Sequence, residues 1–543
     1  MQVIYEMHVP AADSATGQAK RRVAEALPIV GLICLLGSVF FLHAYRLNMA
    51  PDVHTDEFNY YRAGYNIWRY GSFSWPESGP ITVHPPLYFL CEAALFSLVR
   101  HGLEDMYRGV YTARLLNDFY ATLTALFLFL LARRMSGTRM AVLAVVLFMW
   151  DPFVLRTNRR SMLETMTELL ILIGFYVFYI SQDNFSLHRQ LLCGLIWGLA
   201  LLTKELAIIC MTCLGTYTLI SPYRTAAFRG RVCPKTNWLA GYLREIRGTL
   251  LYKRDLVRGV LISFLTSLAV WSAFPIWAFS VGEGERFIET KLSLLKRWLG
   301  FIQNTGWNRP EASFAEALAR NLHQYATSYL LLGLGALVTA YLFFFKRDQV
   351  TRFILAWAGT MYAIFAFIVV RGQNNDQYFY LLIVAAIFAI AYGLDQLIGH
   401  LQISTSVWRW PVIVLLLVLF IGILGYNVWD WGRLYGWGVD NARWQLSQWV
   451  AHNIPHEETI GVSIRVTAYV QAMFPHHRVI ALYNAEQTKQ AGVHYVITST
   501  KWLEYRFGDF SPEYYDWIHE YGKRLYSVYS PTPWLLEVYY LEY

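Results

Sequence analysis

A succession of apolar runs, each close to the length that crosses a bilayer, constrains this chain more than any other feature. They fall near residues 27–45, 109–132, 140–155, 162–180, 190–204, 205–221, 258–280, 324–345, 353–370, 378–398 and 410–430. In hydrocarbon every backbone N–H and C=O must be satisfied within the protein, so runs of this kind fold as helices and pack as a bundle. The expected fold class is a polytopic α-helical membrane protein with about eleven transmembrane (TM) helices. Composition agrees: only 15% of the 543 residues are charged, against about 25% in a soluble globular chain. The net charge of +8 does not point to nucleic acid, because the basic residues sit in short blocks between apolar runs rather than in a binding stripe.

Those blocks set the expected topology. Lys20, Arg21 and Arg22 precede the first run, which is too long for a secretory core and lacks an Ala-x-Ala-like site. It is expected to be an uncleaved anchor with its N-terminus in the cytoplasm. By alternation the inner loops then hold Arg133/Arg134/Arg139, Arg189, the stretch 222–258 with nine Lys or Arg, Lys346/Arg347/Arg352 and Arg409, as the positive-inside rule requires. The outer loops are 47–86, 151–161, the turn Thr203-Lys204-Glu205, 282–322 and 371–377, with the C-terminal tail also outside. Segment 87–99 is shorter and interrupted by Glu92, and is expected to lie along the membrane surface. The expected location is a cytoplasmic or plasma membrane. The six cysteines lie mostly in apolar runs, and Cys210-x-x-Cys213 has no second pair, so no disulfide or metal framework is expected.

From about Asn441 the pattern changes. NARWQLSQWVAHNIP predicts a helix ended by Pro455; ETIGVSI, HRVIAL and GVHYVITS predict short strands; SPEYYDWIHEYG predicts a capped helix before LYSVY. The expected organisation is a transmembrane catalytic unit, 1–440, followed by a small extracytoplasmic α/β domain, 441–543.

The first outer loop carries the feature that calls for a function. It places Asp56 and Glu57 side by side just beyond the first run and closes on His84-Pro85-Pro86. Acidic residues at a hydrocarbon boundary are costly unless paired or used, and their stems are too short to reach the headgroups easily. Other ionisable residues at the outer ends of apolar runs are His84, Arg114, Arg160, Glu164, Lys204 and Arg371. For each of these the plain alternative is snorkelling or a local ion pair. Gathered around one cavity, however, carboxylates and cations suit transfer of a sugar from a lipid phosphate. A carboxylate serves as base for the acceptor hydroxyl, and Lys or Arg stabilises the departing phosphate. Nucleotide sugars are essentially absent outside the cytoplasm, so an outer-face enzyme takes its donor from a lipid. The chain shows no Walker-type loop and no G-x-G-x-x-G fingerprint at a strand–helix junction.

At these residues the sequence resembles the GT-C glycosyltransferases of the PMT/ArnT-like family. Asp56-Glu57 is similar to that family's acidic first-loop motif, and His84-Pro85-Pro86-Leu87-Tyr88 to its (H/K)-P-P-L-Y. Ala113-Arg114-Leu115, Arg160-Ser161-Met162-Leu163-Glu164 and Leu201-Leu202-Thr203-Lys204 follow in the family's order. Arg371 with Tyr378-Phe379-Tyr380-Leu381 resembles its R…Y-x-L segment, although Ile383 stands where a proline often follows. The resemblance implies a GT-C fold and an inverting transferase moving a single sugar from a polyprenyl-phosphate donor to an acceptor hydroxyl. Asp56 would be the general base and Glu57 or Glu164 would position sugar or base. Lys204, Arg371 and Arg114 would hold the lipid phosphate, with His84, Arg160 and Tyr378 among the substrate-binding residues. The expected partners are a polyprenyl-phosphate sugar, a lipid, glycan or protein acceptor, and membrane lipids.

Several points stay open in the sequence. No cofactor is required; His54, Asp56, Glu57 and His84 are the donors a divalent metal would have. The aromatic stretch Phe58–Trp75 suits an interfacial belt or a sugar-stacking platform. The loop 282–322, with Glu283, Glu285, Arg286, Lys291, Asn304, Trp307, Asn308 and Arg309, suits a lid or a plain connector. Two other functions compete. A lipid-linked-sugar transporter calls for midplane charges and internal repeats, which are not evident here, and a polysaccharide polymerase or ligase calls for large basic outer loops.

Overall fold

The computed structural model describes residues 15–75, 79–182, 185–221, 238–299, 314–346, 348–370, 379–403, 409–463, 466–500, 511–530 and 534–543. Helix α1 (Ala15–Ala44) leads into α2 (Thr55–Tyr70), a two-stranded hairpin of β1 (Ser74–Trp75) and β2 (Gly79–Pro80), and α3 (Leu87–Val99). The bundle continues through α4 (Met106–Ser136), α5 (Thr138–Trp150), α6 (Pro152–Asn158), α7 (Leu163–Ser181), α8 (Leu187–Thr203) and α9 (Ala207–Ile220). Next come α10 (Trp238–Trp271), α11 (Ala273–Ser280), α12 (Gly284–Trp298), α13 (Phe314–Phe345), α14 (Gln349–Ile354) and α15 (Thr360–Val370). The last long helices are α16 (Phe379–Ile403) and α17 (Arg409–Trp431).

Every expected apolar run is helical, but the count of spans changes. Among the described residues seven helical segments are long and apolar enough to cross a membrane, and α5 with α6 forms an eighth bent by 70°. Residues 187–203 and 207–220 are helices of 17 and 14 residues, below the roughly 20 that a perpendicular span needs. The physical reason is plain for α8 and α9: the polar turn at Lys204 and Glu205 ends one and delays the other. The bend between α5 and α6 also has a local cause. Asp151 caps α6 through its Oδ1, which accepts from Val154 N at 2.9 Å, and Pro152 occupies the first helical position. A cap followed by proline starts a new helix rather than continuing the old one. That bend turns Arg156, Arg159 and Arg160 back toward the first loop.

The bundle core is aromatic-rich. Phe175 meets Trp197 and Trp357 at ring-centroid distances of 5.2 and 4.8 Å, and Trp357 meets Phe388 at 5.2 Å. Loops expected on one side of the membrane are found together. Arg139 pairs with Asp395 at 2.5 Å and Arg352 donates to Ile220 O. At the other end Lys204 meets Glu164, and Lys291 meets Glu205 at 2.6 Å.

The tail begins with α18 (Ala442–Asn453). Its five-stranded sheet runs β4-β3-β5-β7-β6, with β3 (Thr459–Val462), β4 (Arg478–Ala481), β5 (Tyr495–Ser499), β6 (Gly522–Ser530) and β7 (Trp534–Leu541). The first three are parallel and the last two pair antiparallel. The expected strands and the helix Pro512–Tyr521, capped by Ser511, are present, while β7 is an addition. One hydrophobic cluster joins this tail to the first loop: Val53, Phe58 and Tyr61 pack with Leu446, Ile460 and Tyr469.

Candidate active site

The site is built around the start of α2. His54 is its N-cap and Glu57 its third residue, and the two form a capping box: His54 N donates to Glu57 Oε2 at 2.8 Å. Asp56 N donates to His54 Nδ1 at 3.2 Å, so that ring nitrogen acts as an acceptor and the imidazole proton belongs on Nε2. This local chemistry separates the two acids. Glu57 is directed inward and fully buried, while the Asp56 side chain keeps 31% of its surface exposed in the positive end of the helix dipole.

Glu57 is held from every side. Arg114 meets it through two parallel bonds, Nε to Oε1 at 2.8 Å and Nη2 to Oε2 at 2.9 Å, and Ser161 N donates to Oε1 at 2.9 Å. Burial by itself pushes the Glu57 carboxyl up, but the Arg114 charge and these bonds outweigh it and hold the group below its usual range. Arg114 spends its remaining reach on Leu47 O and Pro51 O at 2.7 and 2.8 Å. Arg159, at the end of α6, does the same, donating to the carbonyls of Leu42, His43, Tyr45 and Ala50 at 2.7–2.9 Å. These include the open carbonyls at the end of α1, which a cation suits doubly. Two buried arginines thus stitch the loop that carries Asp56 onto α4 and α6.

Beside His54 lies a cavity of about 60 Å³ lined by Phe153, Arg156, Thr157, Arg160, Met162 and Glu164 as well. Arg156 and Arg160 stand four residues apart, from α6 into the turn beyond it. Arg160 Nε and Glu164 Oε2 are buried atoms without a hydrogen-bond partner among the described residues. Burial, with Arg156 next, brings the Arg160 guanidinium down to about 10, so it stays charged at neutral pH while lacking full compensation. Lys204, at the C-terminal cap of α8, pairs with Glu164. His84 packs edge-on to Tyr60 at 5.5 Å and is kept neutral, lowered to about 3 by burial and then by Lys204 and Lys291. Lys291 of α12 donates to Val83 O at 3.1 Å and pairs with Glu205, tying the described start of the 282–322 loop to both motifs. Its Asn304, Trp307, Asn308 and Arg309 lie outside the described residues.

Behind the site, Tyr88 hydroxyl donates to Asn117 Oδ1 at 2.9 Å and meets Ser161 Oγ at 2.8 Å. Asn117 Nδ2 in turn donates to Met162 O at 2.8 Å and to Arg160 O at 2.5 Å, fixing the backbone on either side of Ser161. Ser161 Oγ donates to Glu92 at 2.8 Å. Glu92 is therefore buried against this network rather than facing headgroups.

His54, Arg160 and Glu164 line one cavity, Asp56 stands beside His54, Lys204 adjoins through Glu164, and His84 lies near Lys204. Arg371 and Tyr378 lie outside the described residues. Arg114 does not face the cavity: it is fully buried and committed to Glu57. The four donors considered for a metal do not converge. Glu57 is taken up by Arg114, and His84 stands beside two lysines. Among the described residues no three His, Cys, Asp or Glu side chains form a metal-ligand group. Sequence reasoning missed Arg156, Arg159, Asn117 and Asp52. The Asp151-Pro152 cap was the available signal for Arg156, because a new helix there puts it on one face with Arg160.

Asp52 joins the loop to the tail. Arg443 of α18 donates to Asp52 Oδ2 at 3.4 Å from its side chain and at 3.3 Å from its backbone N. It also reaches Val53 O at 2.7 Å, and Tyr469 hydroxyl donates to the same carbonyl at 3.2 Å. Burial raises the Asp52 carboxyl to about 6, with Arg443 opposing and Asp440 adding to the rise. A folded value above the unfolded one means the proton is bound more tightly in the folded state. Stability from this group is therefore full below about 4 and is lost as pH climbs through about 6. From pH 7 to pH 5 the wild-type protein should gain roughly 1–2 kcal/mol relative to Asp52→Asn. Melting temperatures of the two proteins over that range check this; parallel curves would refute it.

Residues 83–242 match the family model described as dolichyl-phosphate-mannose-protein mannosyltransferase. The match spans the His-Pro-Pro, Arg114, Arg160–Glu164 and Lys204 segments and begins after Asp56. No curated protein sequence matches the chain. Among solved structures, the oligosaccharyltransferase AglB from Archaeoglobus fulgidus, in complex with an inhibitory peptide and a dolichol-phosphate, superposes with a TM-score of 0.55 at 14% identity. That match covers 95% of this chain and 74% of AglB. ArnT from Cupriavidus metallidurans bound to undecaprenyl phosphate gives 0.52 at 14% identity, over 94% of this chain and 98% of ArnT. The chain shares their fold.

Proposed function

We propose that the chain is a membrane glycosyltransferase of the PMT/ArnT-like GT-C type, which transfers one sugar from a polyprenyl phosphate to an acceptor hydroxyl at the outer membrane face. The observation that carries this is one small cavity lined by His54, Arg160 and Glu164, with the part-exposed Asp56 carboxylate 3.7 Å from His54 Nδ1 and the buried Arg160 Nε without a hydrogen-bond partner among the described residues. Asp56 takes the proton of the acceptor hydroxyl as its oxygen forms a bond to the anomeric carbon. The bond from that carbon to the phosphate oxygen breaks on the opposite face, so the configuration inverts. The lipid phosphate leaves with its electron pair and with growing negative charge, which Arg160 and Lys204 stabilise. By family resemblance Arg371 is assigned the same role. Glu164 keeps Lys204 in place, and Glu57 with Arg114 holds the loop. Dolichol phosphate in AglB and undecaprenyl phosphate in ArnT support this class of carrier.

Binding of undecaprenyl phosphate, followed as a rise in melting temperature of the detergent-solubilised protein, tests the donor half. Arg160→Met and Lys204→Met should each weaken binding about tenfold, equivalent to about 1.4 kcal/mol. Asp56→Asn should leave it within about twofold, a difference under about 0.5 kcal/mol. No binding by the wild-type protein, or equal binding by all four proteins, would count against the assignment. The anomeric configuration of product made from a donor of known configuration tests inversion; retention would require a covalent or double-displacement route.

A further inference from the structure

A second cavity, of about 380 Å³, shares no lining residue with the one beside His54. Three separate parts of the chain build it. The first loop gives Asn48, the start of α4 gives Asp105, Arg108 and Tyr111, and the tail gives Asn441 and Trp444. Its size lies within the range of small-molecule sites. Tyr111 and Trp444 supply broad apolar ring faces that the C–H face of a pyranose can cover. Around them stand a carboxylate, a guanidinium and two carboxamides, which together offer donors and acceptors to hydroxyl groups that need both. Asn441 is buried, with its carbonyl accepting from Gln445 at 2.7 Å, so part of the polar lining is fixed in advance. Leu115 also lines the cavity. It is half-exposed within α4, a helix long and apolar enough to span the bilayer, so one wall of the cavity runs toward hydrocarbon.

A belt of interfacial aromatics would account for the tyrosines and tryptophan alone. It would not need a concave pocket closed by the tail, nor a buried asparagine that shares the lining with Asp105 and Arg108. We propose that this cavity holds the sugar headgroup of a membrane glycolipid, the non-reacting part of the acceptor, with its lipid chain descending past Leu115. This rests on the glycosyltransfer function and narrows its acceptor to a lipid-borne sugar rather than a soluble protein.

The test uses the full chain in amphipol and two single-chain amphiphiles kept below their micelle concentrations, dodecyl maltoside and dodecyl phosphocholine. In saturation-transfer NMR the maltoside ring protons should receive saturation, and phosphocholine should compete at least fivefold less well. Trp444→Ala and Arg108→Gln should each weaken maltoside binding at least fivefold, and Trp444→Phe, which keeps an aromatic face, should retain it. Tyr70→Ala, at an exposed tyrosine outside the cavity, should change nothing. Equal binding of the two amphiphiles would reduce the cavity to a lipid-headgroup contact and overturn the proposal. So would maltoside binding that ignores both Trp444→Ala and Arg108→Gln. Asp56→Asn separates the two levels: maltoside binding should survive it even though transfer does not, so a failure of one assignment is visible independently of the other.

Discussion

Asp56→Asn should lower sugar transfer by two to four orders of magnitude while leaving the protein folded, inserted and able to bind undecaprenyl phosphate. The size follows from removing a positioned base, typically worth about 10²–10⁴ in rate. The specificity follows from the geometry. An amide has the shape of the carboxylate, and the bond that seats this residue runs from its backbone N to His54 Nδ1, which the substitution leaves alone. The capping box belongs to His54 and Glu57 and is also untouched. Asp56 is partly exposed, so no buried charge is stranded. Initial rates with a polyprenyl-phosphate sugar, beside a melting curve, make the measurement. A variant with a normal melt and more than a tenth of wild-type activity would remove Asp56 from the chemistry and turn attention to Glu164, whose buried Oε2 at the cavity has no hydrogen-bond partner among the described residues.

Much of the helical architecture was legible because hydrocarbon leaves the backbone few choices, and a run of twenty apolar residues has little else to become. Runs that abut polar turns were harder. Lys204-Glu205 shortens two helices at once, and Asp151-Pro152 breaks a run that hydropathy alone reads as continuous. In the site, the order of charged residues along the chain foretold which loops would meet: Glu164 with Lys204, and Glu57 with the segment around Arg160. What the order could not foretell was direction. Whether Arg114 faces a ligand or a neighbouring acid depends on a bidentate contact 57 residues away, and nothing in local sequence fixes that. The hold of Arg443 on Asp52 spans 391 positions and was invisible for the same reason. The tail's strands were readable by alternation and turn residues, but its contact with the first loop was not, because apolar residues such as Phe58 and Tyr469 carry no address.

Breaking the Glu57–Arg114 pair should have the other large effect, and on stability before rate. Both side chains are fully buried, and each is the other's main compensation. Removing one partner of such a pair strands the remaining charge and typically costs about 3–5 kcal/mol. Arg114→Leu should be the worse of the two, because it also abandons the carbonyls of Leu47 and Pro51. Glu57→Gln keeps one acceptor oxygen where Glu57 offers two, so it can accept from His54 N or from Ser161 N but not from both, and it also leaves the guanidinium uncompensated. The double variant, Glu57→Gln with Arg114→Leu, should recover part of the combined loss, since it no longer buries a lone charge. Melting temperatures of the four proteins form the cycle; strict additivity would mean the two residues do not act as a pair. Activity then distinguishes anchoring from chemistry. If the pair serves to hold Asp56, the double variant should regain stability without regaining transfer, because the start of α2 has lost its attachment to α4 while Asp56 itself is intact. Full transfer in a stable double variant would show that the capping box alone can aim the carboxylate.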